Sequence, residues 1–85
     1  MKMWKEKTWQ HETTGVDGNT TLFGVNIFDY KWERSGPLGT RVTVRDPDGR
    51  ERKASVYTVI IDGRQHEFAA TEVSMCVWNF YLEKY

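Results

Sequence analysis

The sequence predicts a mostly β, single-domain fold over residues 1–85: a small antiparallel barrel or strongly twisted sheet of about five to six strands. Three observations carry this. Ala54–Phe68 reads as an apolar strand, an Asp62-Gly63 turn and a returning strand. Turn chemistry recurs along the chain at Gly15–Asn19, Gly36–Gly39 and Asp46–Gly49. Aromatics are 14% of the residues, enough to fill a small core with few side chains. A core of this size leaves only about 3–5 kcal/mol of net stability, so it has little room for unsatisfied polar machinery.

Residues 3–13 alternate weakly, with Met3, Lys5, Lys7, Trp9 and His11 on one face, and read as a charged edge strand. Thr14–Asn19 reads as a loop. Thr20–Trp32 reads as one bent strand, Phe23, Val25 and Ile27 on one face and Leu22, Asn26, Phe28, Tyr30 and Trp32 on the other, with Gly24 at the bend. Glu33–Gly39 is a second loop.

Arg41–Arg45 alternates cleanly, Val42 and Val44 inward. Asp46-Pro47-Asp48-Gly49 then supplies a hairpin with a three-residue loop, which pairs Arg45 with Glu51 and Val42 with Ala54. That register puts Ala54, Val56, Thr58 and Ile60 on the face of Val42 and Val44. In the next hairpin, a bulged three-residue loop brings Val56 opposite Phe68 and turns Phe68 toward the same face; a two-residue loop brings Tyr57 there instead. The bulged form is preferred.

The tail fits two patterns. Val73, Cys76, Val77, Phe80 and Tyr81 make a helical stripe, which gives an α+β alternative with a helix at 71–83. Cys76, Trp78, Phe80 and Leu82 also alternate, and no capping box is present. The reading is a turn at Ala70–Ser74 and a closing strand at Cys76–Leu82, with Cys76 in the core.

Ile27-Phe28-Asp29-Tyr30 resembles the Leu-Tyr-Asp-Tyr core of the motif that opens eukaryotic SH3 domains. The resemblance covers four residues; the paired tryptophans and the Pro-x-x-Tyr ending of that family are absent. It implies a small SH3-like barrel and brings no peptide-binding role with it.

Charge bounds the partners. Twelve basic and twelve acidic residues cancel, which removes any bulk drive toward nucleic acid or anionic membrane. The middle third, residues 31–53, is nonetheless net basic, with seven cations against four carboxylates. The single Cys76 excludes an intrachain disulfide, and no run approaches a membrane span, so a soluble, cytoplasmic protein is expected.

No constellation for catalysis emerges. Ser35, Ser55, Ser74 and Cys76 lack a nucleophile-elbow context near His11 or His66. Those histidines and Cys76 lack metal-ligand spacing. Gly36–Gly39 lacks the Gly-Lys-Ser/Thr ending of a phosphate loop, and Glu67 and Glu72 have no cleft assigned. No enzyme and no cofactor is expected.

What remains is an aromatic surplus beside cations. Phe28, Tyr30 and Trp32, with Lys31, Arg34, Arg45 and Arg52, are the candidate binding residues, Trp4 a further contact; the alternative for the three aromatics is that they cover the second face of a bent strand and form a satellite core. The expected function is a binding module for a protein partner, monomeric or paired through the edge at residues 5–11. The alternative is a nucleic-acid-binding barrel that uses the basic 31–53 region, Arg41, Arg50 and Lys53 included, around the same aromatics.

Overall fold

The computed structural model, which describes residues 8–36 and 41–84, builds nearly everything from sheet. Its strands are β1 (Thr8–Val16), β2 (Thr21–Leu22), β3 (Val25–Asn26), β4 (Glu33–Arg34), β5 (Arg41–Arg45), β6 (Glu51–Ile61), β7 (Arg64–Ser74) and β8 (Val77–Lys84). A 3₁₀ turn at Ile27–Asp29 is the one helical piece among the described residues.

Strands β5 to β8 form an antiparallel meander, and β1 lies between β8 and β5 to close a ring. Strand directions cannot alternate all the way round a ring of five, so one pairing has to be parallel. It falls between β1 and β5, at Trp9↔Val44 and Gln10↔Arg45. The predicted small barrel is therefore present, as a mixed sheet. Strand β1 is not an edge: at Trp9 and Gln10 it has a neighbour on both sides. The Trp4 contact and the first half of the expected edge strand lie outside the described residues.

The β5–β6 hairpin has the expected register, Arg45 opposite Glu51 and Val42 opposite Ala54. The β6–β7 hairpin has the other one. Ile61 pairs with Arg64 and Tyr57 with Phe68 across a two-residue turn. Asp62 and Gly63 both take positive φ, 51° and 79°, the primed geometry whose twist matches the strands it joins.

Phe68 is nevertheless fully buried, because the sheet has a core on each face. By alternation, Val42, Val44, Ala54, Val56, Ala69 and Tyr81 face into the ring. Tyr57, Val59, Ile61, Phe68, Ala70 and Phe80 face the opposite way, against Leu22, Ile27, Phe28 and Trp32. Beyond Val56 the inward row opens to solvent, and Ile60 is 55% exposed.

Thr20–Trp32 is not one strand. Leu22 pairs with Val25 around Phe23 and Gly24, both at positive φ, and the 3₁₀ turn follows. A phenylalanine in that conformation costs about 1–2 kcal/mol. Its ring lies 4.5 Å from the ring of His66 and 6.3 Å from Phe68, and that packing offsets the strain.

The predicted loop at Thr14–Asn19 is shorter than expected, since β1 runs to Val16. Gly15 belongs to that strand, where a Cβ would meet the Thr20 hydroxyl at 2.0 Å. Likewise Glu33 and Arg34 leave the second loop to pair with Thr58 and Tyr57.

Residues 71–83 form no helix. Strand β7 continues through the predicted turn to Ser74, and β8 returns after Met75 and Cys76. Cys76 is a correction: it sits in that turn at φ 62° with its side chain exposed, not in the core. The alternation begins one residue later than the apolar pattern implied.

Candidate functional site

The three candidate aromatics pack against the outward core. Asn26 directs them there: its Oδ1 accepts the Phe28 and Thr20 N–H groups and its Nδ2 donates to Gly18, which caps the 3₁₀ turn. Phe28 then lies 5.1 Å from Trp32 and 5.9 Å from Phe80, ring to ring. Trp32 is the hub, in edge contact with Tyr57, Phe68, Trp78 and Phe80, while its Nε1 donates to the Ile27 carbonyl at 2.9 Å. Tyr30 is partly buried beside them. Of the four residues that resemble the SH3 opening motif, Ile27, Phe28 and Tyr30 thus build the underside of an aromatic layer, and Asp29 is exposed.

The basic candidates divide in two. Arg52 is committed: its Nε donates to Asp46 at 2.6 Å, and Tyr81 donates its hydroxyl to the other oxygen of that buried carboxylate at 2.6 Å. Its guanidinium is held above its ordinary pKa by that hydrogen bond first and the Asp46 charge second. Burial, then the bond to Asp46, pushes the Tyr81 phenol up to about 12. Arg45 faces Glu51 at 3.9 Å and Arg50 faces Asp48 at 3.7 Å, both exposed and weak.

Arg34, Arg41 and Lys53 have no carboxylate partner among the described residues, and they converge. They line a cleft of about 380 Å³ together with Ser55, Tyr57, Thr71, Glu72 and Trp78. The cleft exists because β6 and β7 part company there. Their last pairing is Ser55↔Ala70, yet β6 extends back to Glu51 alongside β5, and β7 extends on to Ser74 alongside β8. Lys53 donates to Thr43 Oγ1 at 2.7 Å, which holds its ammonium near this opening. Trp78 brings an indole N–H that is shielded from water and has no acceptor among the described residues.

Lys31 lines a second, smaller recess of about 300 Å³ with Glu33, Thr58, Ile60 and Gln65. Of the residues picked out by sequence, only Arg34 reaches the basic cleft from the 28–34 segment. Tyr57 and Trp78 were missed as site residues. Their sequence signal was burial-type alternation, and nothing local marks where two paired strands separate.

Other polar groupings have structural work. His11 Nε2 lies 2.7 Å from Thr14 Oγ1, and Thr14 in turn donates to Asn79 Oδ1. Among the described residues no group of three or more His, Cys, Asp and Glu side chains is placed to hold a metal ion. No helix of the described residues is long and apolar enough to cross a membrane.

Comparison of the chain with protein-family models, with curated proteins and with solved structures gives no match.

Proposed function

We propose that the chain is a non-catalytic binding module for a protein partner, and that the cleft where β6 and β7 separate is its recognition surface. The observation that carries this is the convergence of Arg34, Arg41 and Lys53 on one opening beside Tyr57 and Trp78. Cations at the mouth of an aromatic-walled recess supply both orientation and contact area. Phe28 and Trp32 act behind the cleft, as the packing that fixes Tyr57 and Trp78 in place. The lone thiol of Cys76, with no second cysteine to pair with, suits a reducing cytoplasm.

The commitment of Arg52 to Asp46, and the placing of Asp48 and Glu51 beside Arg50 and Arg45, weigh against the nucleic-acid reading, because carboxylates among the cations repel a strand of phosphates. The test is capture of partners from source-cell extract by wild type and by Arg41→Glu/Lys53→Glu, with and without nuclease. A protein retained after nuclease by wild type, and lost by the variant, is the expected result. Retention by both proteins removes the cleft from the proposal, and loss on nuclease treatment transfers it to nucleic acid.

A further inference from the structure

Resting on that reading, we infer that the cleft takes a phosphorylated side chain of the protein partner, seated on the outer face of the sheet. Shape and charge define this occupant.

The shape follows from register. Ser55 stands opposite Arg41 on β5 and opposite Ala70 on β7, so the middle of the cleft has small residues for a floor. Two residues along β6 in one direction, Tyr57 stands between Arg34 on β4 and Phe68 on β7. Two residues in the other direction, Lys53 stands opposite Thr43 and donates to its hydroxyl, which draws the ammonium toward β5 and the Arg41 side. By alternation these side chains share the outward face, so Arg34, Arg41 and Lys53 follow one flank of the floor. Beyond its far side, Glu72 on β7 and its cross-strand partner Trp78 on β8 complete the lining. A group lowered onto Ser55 and Ala70 therefore has cations along one flank, with Tyr57 and Trp78 to contact its stem.

Charge selects the class. Arg34, Arg41 and Lys53 face the single carboxylate of Glu72, which leaves a surplus of positive charge in the described lining. A phosphate monoester carries about 1.5 to 2 negative charges near neutral pH and three strong acceptor oxygens, so one group answers that surplus. A lone carboxylate or a phosphodiester carries a single charge and leaves part of it unanswered. Guanidinium forks match phosphate oxygens with paired hydrogen bonds, and Arg34 and Arg41 supply two such forks. The Ser55 hydroxyl adds a donor at the floor.

The probe is a fluorescent pentapeptide with phosphotyrosine at its centre, flanked by Ala and Gly, measured by anisotropy against the full chain. Controls are the unphosphorylated peptide, the same peptide with Glu at its centre, inorganic phosphate and a ten-base oligothymidylate. The phosphopeptide should bind about tenfold or more tightly than either control peptide, and Arg41→Gln/Lys53→Gln should abolish that advantage. Glu72→Gln should tighten binding about twofold to threefold, because it removes the opposing charge. The amide resonances of Ser55 and Ala70 should move during the titration. Arg41, Lys53 and Glu72 are exposed, so the far-ultraviolet circular dichroism of the variants should match wild type.

Equal binding of the phosphopeptide and either control peptide overturns the inference. So does an advantage that the double variant keeps, or resonance shifts confined to other residues. Inorganic phosphate or oligothymidylate bound as tightly as the phosphopeptide replaces the side chain as occupant. If the phosphopeptide does not bind while cleft-dependent protein capture survives phosphatase treatment of the extract, this inference fails and the binding-module reading stands; if neither is seen, both fall.

Discussion

The two faces of β6 and β7 solve the same problem with different materials. The face inside the ring is built from Val44, Ala54, Val56, Ala69 and Tyr81. The face outside is built from Val59, Ile61, Phe68 and Phe80 under a cover of Leu22, Ile27, Phe28 and Trp32. A ring of five strands encloses less space than the eight-stranded barrels whose interior is just filled by side chains, and here small Val and Ala residues surround one large ring, Tyr81. The outer face has no such limit and takes the large rings. The contrast extends to polar groups: inside, a buried Asp46 is met by Arg52 and Tyr81, whereas outside the Trp78 indole N–H meets no acceptor among the described residues. One strand can thus be apolar on both faces, because each face has a core of its own.

The comparison fails most visibly if the outer aromatics are a veneer. Trp32→Ala should cost about 3–5 kcal/mol, because it empties the centre of the aromatic layer. That equals the whole margin expected of a core this size, so circular dichroism should show the variant largely unfolded without denaturant, and a urea transition kept above that of Tyr81→Phe would show the outer face to be secondary.

Tyr81→Phe tests the inner face and should cost about 1–3 kcal/mol near neutral pH, by leaving Asp46 one partner short. The wild-type phenol titrates at about 12 in the fold against an ordinary 10, so the folded state holds its proton more tightly. That contribution is complete below pH 10 and is lost as pH rises from 10 to 12, amounting to roughly 2–3 kcal/mol. The stability difference between wild type and Tyr81→Phe should narrow over that interval. A difference independent of pH would remove Tyr81 from the role given to it.

The smallest effect belongs to the turn beyond both cores. Cys76→Gly should stabilise the fold by about 1 kcal/mol, since the residue is exposed at φ 62° and packs against neither face. Thermal unfolding measures it, and destabilisation would mean that the Cys76 side chain does pack.

Much of this was legible in the sequence where chemistry is local. Pro47, Asp48 and Gly49 set the β5–β6 register, and Arg45 with Glu51 agreed with it. The absence of caps beyond Ala70 argued correctly for a strand. The Asp62-Gly63 turn was legible too, but its register was read through the wrong constraint. Phe68 was assigned to the face of Val42 and Val44; Phe28, Tyr30 and Trp32 offered a cover for the other face, but the fold-back at Phe23 and Gly24 that completes it was not legible. Phe23 shows why that cover stayed hidden: phenylalanine is a poor turn residue, and tertiary packing on His66 and Phe68 holds it there. Asn26 was the available clue, an N-cap residue set in an aromatic run. The cleft depends on where β6 leaves β7, a property of curvature that no residue pair encodes.

The odd number of strands in the ring has a consequence for how the protein is made. The four strands of the meander are joined by short turns and find their neighbours early. Strand β1 pairs with β8 from Val16↔Val77 to Thr8↔Lys84, across almost the whole described chain. Contacts of such sequence separation are entropically costly to close and form late. During synthesis β1 emerges first and holds only the short match to β5 until β8 is complete. The nascent chain therefore carries an open sheet edge for longer than its small size would suggest, and ring closure is the step that ends its exposure to other chains.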